Sequence, residues 1–181
     1  KNFAYYGSEI VKDADPKTFQ ALSYYYFKDD KNIFSEGQKI NADYPTFEII
    51  SDRNDYAKDR NAVYSSGKKI DGIDPSTFEI FPESDYAKDK YHVYHEDKII
   101  DDADQITFQV LKNSGREYAK DAHHVYYHGQ FLPEADAETF KTINDYYALD
   151  KNHVYNDETV LKNLDVNSFY QIGKSDYLRD N

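Results

Sequence analysis

The chain contains no cysteine and no methionine, its seven glycines are scattered, and no apolar run approaches the ~20 residues of a membrane-spanning helix. Each shortage excludes something. Without cysteine there are no disulfides and no thiolate metal sites. Without methionine there is no initiator, so the sequence is read as a processed chain or a piece of a longer one, with a removed signal peptide as one explanation. The glycines form no phosphate-binding loop and no Gly-x-Ser-x-Gly elbow, so nucleophilic and nucleotide chemistry find no support.

What is present is aromatic and acidic. Among 181 residues are 19 Tyr and 11 Phe, and the formal net charge is −12. The mean hydropathy is strongly negative, which with few aromatics would indicate disorder. Tyrosine instead supplies buried area and a hydroxyl that tolerates a wet edge, so an ordered domain with a Tyr/Phe core is expected. The acidic surface repels phosphates and anionic headgroups, which excludes nucleic acid as a natural partner.

One phrase recurs along the chain: Tyr-x-x-Asp, an aliphatic–aromatic pair, a polar turn, then Asp-x-x-Thr-Phe. The opening tyrosines are Tyr26, Tyr56, Tyr86, Tyr118, Tyr147 and Tyr177, spaced by 30, 30, 32, 29 and 30 residues. The pairs are Ile33-Phe34, Val63-Tyr64, Val93-Tyr94, Val125-Tyr126 and Val154-Tyr155, with Ala4-Tyr5 in that slot at the start. Thr18-Phe19, Thr46-Phe47, Thr77-Phe78, Thr107-Phe108, Thr139-Phe140 and Ser168-Phe169 end the phrase. The chain is read as one repeat domain, 1–181, with units 1–25, 26–55, 56–85, 86–117, 118–146 and 147–176, and with 177–181 completing the first.

Each unit reads as four short antiparallel strands. In one copy these are Phe78–Phe81, Tyr86–Asp89, His92–His95 and Lys98–Ile100, with hairpin turns marked elsewhere by Ser66-Gly67 and His128-Gly129. The extra residues 112–117 fall in a loop that tolerates insertion. Asp15-Pro16 and Asp74-Pro75 predict one helical turn between units. Adjacent residues of a strand point to opposite faces, so the aliphatic–aromatic pairs require each sheet to be covered on both sides. The expected fold is all-β, with stacked units closed into a propeller-like ring, the complementary termini completing one unit. An open β-solenoid array is the alternative, because ~30 residues is small for a four-stranded blade.

Asp150-Lys151-Asn152-His153-Val154-Tyr155 resembles the signature of the DKNYY family of bacterial repeat proteins. Asp30-Lys31-Asn32 and Asp89-Lys90-Tyr91 with Val93-Tyr94 are variants of it, and Lys1-Asn2-Phe3-Ala4-Tyr5-Tyr6 is a copy lacking its Asp. Asp121-Ala122-His123 and Asp59-Arg60-Asn61 depart from its middle. The resemblance implies a bacterial, exported or envelope-associated protein, and transfers no catalytic residues.

A residue type present in every copy is most simply structural. The column Asp29, Asp59, Asp89, Asp121, Asp150 and Asp180 precedes the tight connection and should bond the backbone ahead of it. The column Asp15, Asp43, Asp74, Asp104, Asp136 and Asp165 reads as caps of the helical turns. The doubled acids Asp13 with Asp15, Asp71 with Asp74, and Asp101, Asp102 and Asp104 admit a Ca²⁺ reading, but no EF-hand loop accompanies them. His92, His124 and His153 share one column and are read as exposed strand-end residues; His123, His124 and His128 are the local group to watch for Zn²⁺ or Ni²⁺. No cofactor is expected.

The connection tips vary: Lys31-Asn32, Arg60-Asn61, Lys90-Tyr91, His123-His124 and Lys151-Asn152. Loops on a rigid scaffold are where binding concentrates. The expectation is therefore a monomeric, non-enzymatic binding or scaffold module in the periplasm or at the cell surface, meeting a protein or a glycan. A structural spacer is the second expectation. A carbohydrate-active enzyme with paired acids in a central pocket is the third. Phe78 and Phe108 are expected to be buried between units, and truncating either to Ala to cost ~3–5 kcal/mol.

Overall fold

The computed structural model describes residues 3–51, 55–111, 118–144, 146–164 and 166, and the backbone of the strands Tyr170–Gln171 and Leu178–Arg179. The loop 112–117, Asp165, Ser168-Phe169, Tyr177 and Asp180 lie outside the described residues.

The fold is all-β: short strands joined in sequence order into small antiparallel sheets. Five sheets have four strands each. They are Gln20–Ala21, Tyr26–Lys28, Ile33–Ser35 and Gln38–Ile40; then Glu48–Ser51, Tyr56–Lys58, Val63–Ser65 and Lys68–Ile70. Next are Glu79–Ile80, Tyr86–Lys88, Val93–His95 and Lys98–Ile99; then Gln109–Val110, Tyr118–Lys120, Val125–Tyr127 and Gln130–Phe131; and Lys141–Thr142, Tyr147–Leu149, Val154–Asn156 and Thr159–Val160. Tyr5–Tyr6 with Glu9–Ile10, and Tyr170–Gln171 with Leu178–Arg179, are two-stranded.

Four strands per repeat is the expected number, and the strands are shorter than the expected four residues in all but one case. Strands of two or three residues cannot stand alone. Their hairpins are set by backbone chirality. Glu36-Gly37, Ser66-Gly67 and His128-Gly129 have positive φ at both residues, as a two-residue hairpin turn of the favoured twist requires. The predicted helical turn is a single turn in each copy: Thr18, Thr77, Thr107 and Thr139 donate their N–H to the carbonyl of Asp15, Asp74, Asp104 and Asp136. Among the described residues only Tyr44–Thr46 reaches a 3₁₀ helix.

The chain forms two compact units, residues 1–80 and 81–181. In the first, Tyr26 and Ile33 from one sheet pack with Ala57, Ala62 and Tyr64 from the next, while Ala4 and Val11 pack with Phe34. In the second, Tyr86 and Val93 pack with Phe108, Ala119 and Tyr126, and Tyr118 and Val125 with Phe140, Ala148 and Tyr155. Each core thus lies between successive sheets. The aliphatic–aromatic pairs from Ile33-Phe34 to Val154-Tyr155 are buried on both faces as expected. The Ala4-Tyr5 copy differs: Ala4 is buried but Tyr5 is 55% exposed.

The phenylalanine of each Thr-Phe pair is the wedge. Phe108 is 5% exposed, its ring centroid 5.4 Å from Tyr86 and 5.6 Å from Tyr126 of the following sheet. Phe47 sits likewise between Tyr26 and Tyr64, and Phe140 between Tyr118 and Tyr155. Phe78 is also 5% exposed and packs on Tyr56.

The first-strand tyrosines carry a hydrogen bond from one sheet to the next. The Tyr26 hydroxyl accepts from Gly67 N–H at 2.9 Å and donates to the Asp55 carbonyl at 3.2 Å. Tyr86 accepts from Gly129 N–H at 2.9 Å, and Tyr118 donates to the Asp157 carbonyl at 2.6 Å. The approach is so close that a Cβ on Gly67 would collide with the Ser35 side chain, and one on Gly129 would meet His95 Cβ at 2.6 Å. Glycine is therefore required there twice over, for positive φ and for contact.

Candidate binding surface at the aspartate turns

The tight connection between second and third strands begins at a buried aspartate. Asp29, Asp59, Asp89, Asp121 and Asp150 are 1–4% exposed. One carboxylate oxygen takes the N–H groups of the second and third residues ahead: Asn61 and Ala62 on Asp59 at 2.7 and 2.8 Å, His123 and His124 on Asp121 at 2.7 Å each, Asn152 and His153 on Asp150 at 2.7 Å each. The other oxygen reaches back to the preceding segment and accepts from Asp43 N–H (2.6 Å), Asp104 N–H (3.0 Å) and Asp136 N–H (2.8 Å) respectively.

A fourth donor is the hydroxyl of the third-strand tyrosine. Tyr64, Tyr94, Tyr126 and Tyr155 donate to Asp59, Asp89, Asp121 and Asp150 at 2.8–3.0 Å. The Asp29 copy has Phe34 in place of that tyrosine, and Asn32 compensates, its side-chain amide donating to Asp29 at 3.2 Å. Four donors on one carboxylate fill its acceptor sites. Burial pushes these carboxyls up, but the hydrogen bonds outweigh it, and Asp29, Asp59, Asp121 and Asp150 all fall below the ordinary carboxylate range. The tyrosines move the other way: burial first, then the adjacent carboxylate, raises Tyr64, Tyr94, Tyr126 and Tyr155. An ionised carboxylate with all its lone pairs engaged offers substrate neither a proton nor an acceptor.

The second aspartate column lies outside this pair. Asp15, Asp74 and Asp104 each accept from the N–H two residues ahead at 2.9–3.0 Å, and Asp136 from Thr139 N–H three ahead at 3.0 Å. The threonine hydroxyl donates to the same aspartate at Asp43, Asp104 and Asp136 (2.6–2.8 Å). It also accepts the N–H of the first residue of the tight turn: Asp30 on Thr18, Arg60 on Thr46, Ala122 on Thr107, Lys151 on Thr139. Threonine is therefore a bridge between the capped turn and the strand connection, a role that a Thr-Phe pair does not announce.

The doubled acids also receive a backbone account. Asp13, Gly72, Asp102 and Asn163 occupy one position two residues before the cap, all with positive φ. Asp, Gly and Asn are the residues that tolerate this conformation. Among the described residues no group of three or more His, Asp or Glu side chains converges to hold a metal ion. His123 and His124 precede the strand Val125–Tyr127 and His128 follows it, where its ring packs on Tyr127 and His95. The three are thus separated along the strand rather than clustered.

The structure re-registers the tips. Counting from the buried aspartate, the first and second residues are exposed: Asp30 and Lys31, Arg60 and Asn61, Lys90 and Tyr91, Ala122 and His123, Lys151 and Asn152. The third residue turns inward: Asn32, His92, His124 and His153 are half-buried, and Ala62 is buried. The histidine column is therefore not the exposed set expected. Nδ1 of His92 and His153 lies 3.5 and 3.3 Å from the tyrosine hydroxyl, and that of His124 lies 3.6 Å from Asp121. Asn32 and His124 support the turn, whereas Lys31, Arg60, Asn61, Lys90, Tyr91, His123, Lys151 and Asn152 face outward. Two of the first-position cations pair with the capping column: Arg60 with Asp43, and Lys151 with Asp136 at 2.6 Å. Lys90 lies over the Tyr91 ring at 4.7 Å.

This geometry defines a class: an all-β tandem-repeat protein whose sheets are each pinned, through a saturated buried aspartate, to the segment preceding them. Within that class the chain belongs to the DKNYY family, whose model matches residues 1–42, 26–159 and 134–181. The Asp and the final Tyr of the signature are the two ends of one hydrogen bond, Asp150 to Tyr155 at 2.8 Å. No curated protein and no solved structure matches the chain. No helix among the described residues is long and apolar enough to cross a membrane.

Proposed function

We propose that the chain is a non-enzymatic binding or scaffold module of an exported bacterial protein, presenting the first and second residues of its aspartate turns to a protein or glycan of the envelope. One observation carries this reading. Each turn's backbone is fixed by the aspartate and threonine acceptors, while its outward side chains differ between copies: Lys31, Asn61, Tyr91, His123 and Asn152. Rigid support with variable exposed side chains is how binding loops are built. Tyr91, 60% exposed, is the strongest anchor. Envelope location and bacterial origin rest on the family likeness.

The test is binding of the purified chain to isolated cell-envelope fractions. Tyr91→Ala and His123→Ala should each weaken it at least ~10-fold with an unchanged unfolding midpoint; unchanged affinity in both overturns the reading. A spacer is the second reading, supported by the recurrence of the same sheet-to-sheet contact within each unit. A monomeric, closed propeller-like ring is the arrangement proposed for the binding module, and an open array for the spacer. Small-angle scattering separates them: a radius of gyration near ~16 Å supports the ring, a clearly larger one the spacer.

A further inference from the structure

The third residue of the turn is Asn32, His92, His124 or His153 in four copies, and its side chain covers the buried carboxylate or the tyrosine hydroxyl paired with it. The Asp59 copy has Ala62. A methyl group cannot cover that place, and a recess of about 430 Å³ opens there. Small-molecule sites begin at roughly 300 Å³.

The recess has a defined chemistry. Tyr64 lines it and is 4% exposed. Its hydroxyl hydrogen is shared between Asp59 at 2.9 Å and the Asn41 carbonyl at 3.2 Å, which leaves its oxygen an acceptor. In the His92 and His153 copies the imidazole Nδ1 approaches that same oxygen; over Ala62 no side chain does. Asn41 and Asn61 line it. Its charged groups are already engaged, Arg60 with Asp43, Lys69 with Asp71 at 3.7 Å, and Asp59 with four hydrogen-bond donors, so an ion finds no unpartnered charge there. A neutral ring that both donates and accepts, with a hydroxyl directed at Tyr64, satisfies every group. We infer that the recess over Ala62 is a binding subsite for one neutral sugar ring.

This rests on the binding-module reading, yet the two fail separately. The experiment is titration of the ¹⁵N-labelled chain with cellobiose, maltose and chitobiose, followed at the amides of Asn61, Ala62 and Tyr64. At least one sugar should shift them saturably, with the ~1 mM affinity of a single open subsite. Ala62→His fills the recess with the side chain the other copies carry, so it should fold and bind at least ~10-fold more weakly. Tyr64→Phe, which removes the acceptor together with the hydroxyl's bond to Asp59 and matches Phe34 of the Asp29 copy, should lose as much. Absence of a saturable shift with all three sugars, or undiminished binding in whichever variants fold, overturns the subsite. Envelope binding through Tyr91 and His123 without a sugar response sinks the subsite alone; neither response sinks both.

Discussion

The two aspartate columns put the same residue in opposite circumstances. Asp121 is 3% exposed and takes four donors, with the half-buried His124 ring 3.6 Å away. Asp136 lies at the surface, caps its own turn and pairs with Lys151, whose ammonium together with the Thr139 hydroxyl lowers its carboxyl to about 2. Burial of a charge is tolerated where hydrogen bonds replace the lost water in full. The half-buried capping column shows that capping alone needs no complete burial. Recurrence in the sequence therefore marks two different roles in the fold: the buried column joins distant segments through backbone and tyrosine hydrogen bonds, and the capping column does so only where a tip cation reaches it, as at Asp43 and Asp136.

The largest effect should come from Asp121→Ala. It orphans the N–H groups of Asp104, His123 and His124 and the Tyr126 hydroxyl, at ~1–3 kcal/mol for each group that water cannot reach, so a loss of ~4 kcal/mol or more is expected in chemical denaturation. Asp104→Ala, in the half-buried capping column, should cost only ~1 kcal/mol, as cap removals do; equal losses would erase the contrast. Between them falls Tyr126→Phe, at ~1–2 kcal/mol. Adding His124→Asn recreates the Asn32–Phe34 pair of the Asp29 copy and should recover part of that loss in a double-mutant cycle.

The smallest effect is on pH dependence. Asp29, Asp59, Asp121 and Asp150 have folded pKa values below their unfolded ones. Their contribution is complete above the unfolded carboxylate range near pH 4 and is lost as pH falls through the folded values. The raised tyrosines act at the other end: stability is full below about pH 10 and declines above it, as unfolding releases phenols that can ionise. Unfolding midpoints against pH should show both limbs, and Asp121→Asn should flatten the acid one.

Much of this was legible in the sequence because each copy must satisfy the same constraints. The four strands, the Asp turns and the buried Phe108 follow from period, turn chemistry and alternation. The tips were half legible. Taking Asn32 and His124 as tip residues mixes second and third positions, because a variable column gives no sign of which way its side chain turns. Only the Asp29 copy exposes the logic: the change from Tyr to Phe34 coincides with an amide at Asn32, a compensation visible once the Asp–Tyr bond is known. The doubled acids left a Ca²⁺ reading open because composition cannot distinguish a carboxylate chosen for its charge from one chosen for its tolerance of positive φ, as at Asp13 and Asp102. The recess over Ala62 has no signature at all, being a missing side chain.

The tethers from Asp29, Asp59, Asp121 and Asp150 to the segment before them span only 14–17 residues, and the tyrosine bridges between sheets span 29–43. Within each unit, then, a repeat needs only itself and its neighbour. Loop closure is short at every step, so folding should be fast and should spread from any formed pair of sheets, in the manner of a one-dimensional lattice. Such a gene can gain or lose a repeat by slippage without redesigning a core, and the length of the array becomes a trait that selection can adjust in single steps.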